Sequence, residues 1–131
     1  MPEGEPADDA ERESAYGLLQ RGHVLMRDHH DAQAAVVLER ARQLEPGKGS
    51  ILEALGRACF DSRQYASAVE AFEALLEIDP SAHYAHFGLG LSLMRLGRDG
   101  EGRIHLRLAT ALAPASETYR RALQRAQRKG G

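Results

Sequence analysis

The stretch GSILEALGRACFDSRQYASAVEAFEALLEIDPSA, residues 49–82, decides the fold. Its apolar residues recur at spacings of three and four over residues 52–60 and again over residues 65–76, with a polar break at residues 61–63. Such spacing places apolar side chains on one face of an α-helix. Residues 49–82 are therefore predicted to form two helices joined by a short turn, which is a helical hairpin.

The same hairpin pattern recurs on both sides of this stretch. Pro46, Pro80 and Pro114 are each 34 residues apart. Because proline cannot continue a helix, each one marks the end of a second helix. Small residues fill two further aligned columns: Gly22, Gly56 and Gly90 in the first, and Ala34, Ala68 and Gly102 in the second. Glycine is a poor helix former, so its recurrence predicts close helix packing at these columns. We predict an all-α chain with three tandem hairpins at about residues 15–48, 49–82 and 83–114.

The repeat resembles the tetratricopeptide repeat family, whose 34-residue unit carries Trp-x2-Leu-Gly-x2-Tyr, then Ala-x3-Phe, then Pro. The middle unit matches through Leu52-x2-Leu55-Gly56-x2-Cys59, Ala68-x3-Phe72 and Pro80. Two positions depart from the pattern: Arg21 replaces a leucine in the first unit, and His86 replaces a large apolar residue in the third. The resemblance implies an α-solenoid of helix-turn-helix repeats. The departures predict a looser first repeat and a polar spot between repeats two and three.

The two ends of the chain differ from the repeats. Residues 1–13 hold six carboxylates, one arginine and two prolines, and are predicted to be an acidic, disordered tail. Residues 115–131 predict a capping helix, which repeat arrays need to cover their last apolar face. Its apolar stripe is Tyr119, Ala122, Leu123 and Ala126, and Ser116 is its expected N-cap. The side chains of the two ends sum to −5 and +4, so head-to-tail association is an alternative to two solvated termini.

Composition excludes several classes of function. The net charge of −2 gives no global attraction to nucleic acid or to anionic lipid. The single cysteine, Cys59, excludes an internal disulfide framework, and neither a signal peptide nor a membrane span is recognisable. We therefore expect a cytoplasmic protein, and the frequent Ala, Arg and Gly residues are typical of a high-GC bacterial genome.

The candidate chemical groups do not assemble into a reactive set. A zinc site needs three or four converging ligands, which neither His29-His30 nor the pair His83 and His86 supplies. Cys59 falls on an apolar helix face, where a free cysteine packs as a small hydrophobe. No phosphate-binding loop is present, because the glycine-rich segments lack the Lys-Ser/Thr ending. We predict no enzyme activity, no cofactor, no metal and no nucleic-acid partner.

The resemblance also implies a binding surface, since the first helix of each hairpin lines the concave face in this family. Alignment assigns that groove to Tyr16, Leu19, His23, Met26 and Arg27 in the first repeat, to Ser50, Glu53, Arg57, Phe60 and Asp61 in the second, and to Tyr84, Phe87, Leu91, Met94 and Arg95 in the third. The middle of this lining is charged and its third-repeat end is apolar. For Phe87 and Leu91 a second interpretation is open, in which they pack under the capping helix.

The predicted function is that of an adaptor or scaffold that holds an extended or helical segment of another protein through two or three apolar anchors. Some family members hold C-terminal carboxylates with a basic clamp, but the corresponding positions here are Leu19, His23, Ala54 and Gly88, which disfavours that mode. The alternatives are a self-assembly module and a small substrate-holding chaperone similar to the three-repeat secretion chaperones of bacteria.

Overall fold

The computed structural model describes residues 14–130, and within that range it contains helices and no strand. The helices are α1 (Ala15–Arg27), α2 (Asp31–Leu44), α3 (Gly49–Asp61), α4 (Tyr65–Ile78), α5 (His83–Arg95), α6 (Asp99–Leu112) and α7 (Glu117–Gly130). The predicted all-α class is confirmed. The predicted acidic tail, residues 1–13, lies outside the described residues.

Consecutive helices pack against each other along the whole array. In addition, α1 contacts α3 and α3 contacts α5, so the first helices of the hairpins form one layer and the second helices form another. The second helices end at Leu44, Ile78 and Leu112, each two residues before a proline. At the other end of the array, the Ser116 hydroxyl accepts a hydrogen bond from the Tyr119 N–H at 3.2 Å, as expected for an N-cap.

Each hairpin turns through one residue in the left-handed region. These residues are His29, Arg63 and Gly97, with φ of 62°, 66° and 81°. The residue after each one donates its N–H back into the preceding helix, as Gln64 does to the Cys59 carbonyl at 2.7 Å. This closed C-terminal turn resembles the arrangement that ends many helices and usually holds glycine. The turn reverses the chain within three residues, which brings the two helices of a hairpin into contact.

The glycine column confirms the close packing expected from the sequence. A Cβ atom on Gly22 would lie 2.5 Å from Leu38 Cδ2, and one on Gly56 would lie 2.6 Å from the Phe72 ring. In the third hairpin the backbones themselves meet, because a Cβ on Gly90 would lie 2.9 Å from the Gly102 carbonyl oxygen. A larger residue at Gly22 or Gly56 would force the Leu38 or Phe72 side chain to shift, and at Gly90 it would press on the backbone of the partner helix.

The two departures from the family pattern have different outcomes. Arg21 is exposed, whereas its counterparts Leu55 and Leu89 are 4% and 2% exposed. Within residues 14–130 no hairpin precedes α1, so nothing covers the Arg21 position and the arginine is solvated. His86 is 8% exposed and bonds to the Pro80 carbonyl at 2.9 Å and to His105 at 3.1 Å. The predicted polar spot is thus present and satisfied.

Candidate functional site

A cleft of about 750 Å³ opens on the layer of first helices, between α1 and α3. It is lined by His23, Met26, Arg27, His29, Asp31, Arg57 and Asp61. Five of these seven residues belong to the groove predicted by alignment. His29 and Asp31 were not predicted, because they lie in the hairpin turn and at the start of α2, and reach the cleft only through the left-handed turn at His29.

Charges inside this cleft influence one another. The pKa of Asp61 is raised, mainly by burial and then by the neighbouring Asp31, while Arg57 opposes the rise. Burial raises the pKa of Tyr84 to about 12, again opposed by Arg57. Arg57 therefore lies close enough to both Asp61 and Tyr84 to affect them. Neither Arg57 nor Arg27 forms an ion pair within the part of the chain that the structure describes. The lining also contains Asp31 and Asp61, so the charges of the cleft balance. Since neither guanidinium group is held in an ion pair, each can still donate to an incoming carboxylate.

The remaining predicted groove residues of the first two repeats differ in exposure. Leu19 is 9% exposed and belongs to the hydrophobic core, so it cannot offer an open contact surface. Tyr16, by contrast, is 71% exposed. Glu53 is half-buried, and Ser50 is exposed beside it. The apolar surface left partly open here comes from Met26 and Phe60, which pack against the core along one side.

The apolar end of the predicted groove packs against α7. Phe87, Leu91 and Met94 contact a small cluster made by Leu106, Ala122 and Ala126. The Phe87 ring stacks on the Tyr119 ring at a centroid distance of 4.7 Å, and the Tyr119 hydroxyl bonds to His83 Nδ1 at 2.9 Å. Phe87 and Leu91 therefore pack under the capping helix, which is the second of the two interpretations given above. Their role in binding a ligand stays a prediction and concerns only their partly exposed edges.

Arg95, at the C-terminal end of α5, connects α5 to the C-terminal end of α3 and the start of α4. Its guanidinium lies 5.2 Å from the centre of the Phe60 ring and 5.5 Å from that of Tyr65, and it donates a hydrogen bond to the Tyr65 hydroxyl at 2.7 Å. A cation over an aromatic face is attracted by the ring's charge distribution. Tyr65 opens α4 and was not predicted to be near the groove. The only signal for it was the repeat alignment of its helix, which does not reveal a partner 30 residues away.

The described residues give little support to metal or nucleophilic chemistry. Among residues 14–130, no three His, Cys, Asp or Glu side chains are grouped so that they could hold a metal ion. Cys59 is buried, and that burial raises the pKa of its thiol to about 11, with smaller contributions from Glu39 and Glu70. The thiol is therefore protonated at neutral pH and packs as an apolar group. None of the helices in the described range is long and apolar enough to span a membrane.

The stacked pair His86 and His105 predicts a pH-dependent stability. The Pro80 carbonyl only accepts, so His86 Nε2 carries a proton and its Nδ1 accepts from His105. The pKa of His105 is lowered, chiefly by burial and then by His86, while Glu101 opposes. The unfolded chain therefore binds protons more readily than the folded one. The contribution of His105 to the free energy of unfolding is therefore fully present above pH 6.5, the ordinary pKa of histidine. It is expected to decrease as the pH falls below that value.

Thermal unfolding at about pH 7.5 and about pH 5 measures this effect. His105→Gln is expected to show a smaller decrease in Tm between the two pH values than the wild type, because the buried titrating group is gone. His23→Gln, at an exposed histidine, is the matched control and should leave the decrease unchanged. Equal decreases in all three proteins would contradict a role for the histidine pair.

Stacked two-helix hairpins, an open layer of first helices and a terminal cap define an α-helical repeat protein. The model of the tetratricopeptide repeat family matches residues 19–83 and again residues 54–117. The two matches together run over most of the chain, so this chain belongs to the tetratricopeptide repeat family. The family fold is typical of modules for protein–protein interaction.

Solved structures of the same fold include domains from distant proteins. The first tetratricopeptide domain of Spaghetti (RPAP3), bound to the HSP90 peptide SRMEEVD, aligns with a TM-score of 0.83 and 14% identity over 89% of this chain and 93% of that one. MamA from Desulfovibrio magneticus RS-1 aligns with a TM-score of 0.86 and 22% identity over 92% of this chain and 68% of that one. The tetratricopeptide domain of Sgt2 from Aspergillus fumigatus aligns with a TM-score of 0.80 and 20% identity over 88% of this chain and 78% of that one. At these identities the likeness concerns the fold alone.

Proposed function

We propose that this protein is an adaptor or scaffold that docks a segment of a partner protein in the cleft between α1 and α3. The observation that carries the proposal is a cleft of about 750 Å³ on the first-helix layer, with two guanidinium groups unpaired among residues 14–130. The structure of the RPAP3 domain with a bound peptide supports a peptide-sized ligand for this fold.

The chemistry of the cleft indicates what the partner segment offers. Arg27 and Arg57 fit a carboxylate, since charge-assisted hydrogen bonds from guanidinium are among the stronger polar contacts in proteins. The half-buried Met26 beside them fits an apolar side chain, because methionine adapts its shape to different partners. We therefore propose a segment in which an acidic residue lies next to an apolar one. The basic clamp that some family members use is missing here, because its positions hold Leu19, His23, Ala54 and Gly88. In this proposal Arg27 and Arg57 bind the carboxylate instead.

Arg57→Glu tests this proposal. A hydrogen bond to a charged group contributes about 1.5–3 kcal/mol, so the change is expected to weaken partner binding at least about tenfold. Proteins captured from a native lysate by the wild type would first be identified, and their affinities then measured. Arg107→Glu makes the same charge change at an exposed position on α6 and is expected to leave binding unaltered. Undiminished binding by folded Arg57→Glu would refute the cleft as the docking site.

The two alternative functions make different predictions for the same samples. For a self-assembly module, the apparent molar mass from light scattering would rise with concentration, and salt would reduce its association if the oppositely charged ends drive it. A substrate-holding chaperone would suppress the aggregation of an unfolded client at stoichiometric ratio. A monomer that binds a defined peptide and leaves client aggregation unchanged supports the adaptor.

A further inference from the structure

The layer of second helices carries a cleft of its own. Between α2 and α4 it measures about 700 Å³, and it is lined by Ala35, Val36, Glu39, Arg40, Arg42, Gln43, Leu55, Cys59, Gln64, Ser67, Glu70, Ala71 and Ala74. Its two carboxylates and two guanidinium groups balance, and Glu39 is already paired with Arg42. This cleft therefore presents no net charge to a partner.

The 34-residue period identifies the equivalent surface between α4 and α6. Adding 34 to the helical lining positions gives, among others, Glu70, Glu73, Ala74 and Glu77 on α4, and Glu101, Ile104, His105 and Leu108 on α6. Glu73 lies near the N-terminal end of α6, because it helps to raise the pKa of Arg98, the residue just before that helix. We call these residues, together with Leu112, the α4–α6 outer face.

An apolar ridge runs along the α6 side of this face. Ile104, Leu108 and Leu112 are 51%, 40% and 43% exposed and follow one another at intervals of four residues. Over eight residues a helix rises about 12 Å, so the ridge is long enough to meet two turns of another helix. The Leu112 position is apolar in every repeat, but the Leu108 position is Arg40 in the first repeat and Ala74 in the second. The ridge is therefore specific to the third repeat.

The α4 side of the face is acidic. Glu70, Glu73 and Glu77 are exposed and follow one another along one side of the helix. None of the three forms an ion pair within residues 14–130. On the α6 side, Glu101 is paired with Arg98 at 2.8 Å, which cancels both charges. Glu70 also lines the balanced cleft between α2 and α4, where it helps to raise the pKa of Arg42. The carboxylates that distinguish the α4–α6 outer face are therefore Glu73 and Glu77, which accompany the exposed apolar ridge.

We propose that the α4–α6 outer face is a second docking surface, which binds a cationic amphipathic helix of a partner protein. The apolar side of that helix packs on Ile104, Leu108 and Leu112, and its lysine or arginine side chains pair with Glu73 and Glu77. Apolar anchors flanked by complementary charge are a recurring mode of helix recognition. The adaptor thus holds segments of opposite charge on its two layers: an acidic one in the α1–α3 cleft and a basic one here.

A second copy of this chain is the weaker occupant. Its α7 has the right charge through Arg125 and Arg128, which are exposed, whereas Arg121 is paired with Glu117 at 2.8 Å. The apolar residues of α7, however, are already buried in its own chain, since Tyr119, Ala122 and Ala126 are 7%, 3% and 3% exposed. A docked α7 would leave the Ile104–Leu108–Leu112 ridge without an apolar partner. The ridge therefore favours a helix whose apolar side is free.

Synthetic peptides test the proposal on the full chain. The probe is a helix-forming peptide with leucines at i, i+4 and i+8 and lysines on both flanks, and its control has glutamate for every lysine. Wild type is expected to bind the lysine peptide at least about tenfold more tightly than the glutamate peptide, and added salt should weaken that binding. Amide chemical shifts of the protein should change along α4 and α6.

Variants of both parts of the face provide the decisive comparison. Ile104→Ser with Leu108→Ser, and separately Glu73→Lys with Glu77→Lys, are each expected to reduce binding of the lysine peptide about tenfold or more. Val36→Ser is the matched control, because Val36 occupies the Ile104 position in the first repeat and is 72% exposed. Circular dichroism verifies that every variant is folded.

Three results would overturn the proposal. They are equal binding of the lysine and glutamate peptides, undiminished binding by both double variants, and chemical shift changes centred on Arg57 instead of on α4 and α6. Self-association that Ile104→Ser with Leu108→Ser abolishes would assign the face to a second copy and would also overturn it. Arg57→Glu should leave binding of the lysine peptide unaltered, so the two docking surfaces can fail independently.

Discussion

Phe72→Ala is expected to lower the free energy of unfolding by about 3–5 kcal/mol. The Phe72 ring is 1% exposed and lies between two glycines, Gly56 of α3 and Gly88 of α5. It also meets the Tyr84 ring edge to face, at a centroid distance of 6.1 Å. One side chain of α4 thus joins the second hairpin to the third. Removing it leaves a cavity at the centre of the array, and chemical denaturation followed by circular dichroism measures the loss.

Two further variants separate this cavity from a general loss of apolar surface. Ile78→Ala removes a large side chain from the same helix, but Ile78 is 50% exposed, so the expected change is about 0.5 kcal/mol. Gly88→Ala places a methyl group against the Phe72 ring and should cost about 1–3 kcal/mol by overpacking. With Phe72→Leu in the same chain, that cost should shrink, because the smaller side chain leaves room. Strict additivity of the two changes would contradict the contact.

Tyr119→Ala is expected to release α7 from the end of the array. Tyr119 is 7% exposed, stacks on Phe87 and bonds to His83, and the cluster beneath α7 is small. Truncating a buried aromatic residue costs about 3 kcal/mol or more, which corresponds to roughly hundredfold faster exchange of the amide hydrogens of α7. Hydrogen exchange followed by mass spectrometry measures the exchange rate of each helix separately.

The same measurement contains its own controls. Tyr119→Phe keeps the stacking and loses only the hydroxyl bond, so its effect should be about 1 kcal/mol. Exchange in α1 and α2 should be unaltered in both variants, because α7 packs against α6 and the Tyr119 side chain contacts Phe87 and His83 of α5. If Tyr119→Ala accelerated exchange uniformly along the chain, the cap would be part of one cooperative unit and not a separately docked helix. Release of α7 would also open Phe87, Leu91 and Met94 to ligand, which binding of a hydrophobic dye would detect.

Much of the fold was predictable because its determinants are local in sequence. The spacing of apolar residues within one hairpin specifies two helices, and the prolines at positions 46, 80 and 114 specify where the second helices end. The 34-residue period then repeats the same unit, so packing inferred for one hairpin applies to the others. The glycine columns indicated close approach correctly for the same reason, as Gly56 and Gly90 show.

The alignment was less successful at the surface because exposure depends on what lies next to a residue, not on its place in the repeat. Leu19 and Tyr16 are both groove positions of the first repeat, yet one is 9% and the other 71% exposed. Met94 is another groove position, and it packs with the cluster beneath α7. No pattern within a single repeat contains that information.

The sequence by itself thus determined the hairpin, its number of copies and the column of each residue, since these follow from short-range periodicity. Only the tertiary structure decided which columns remain open. It placed α7 over the apolar end of the layer of first helices, and Arg95 over Phe60 and Tyr65. It also left the ridge at Ile104 and Leu108 uncovered beside the α4 carboxylates. These outcomes depend on contacts between helices that are distant in sequence, and such contacts form only when the hairpins stack.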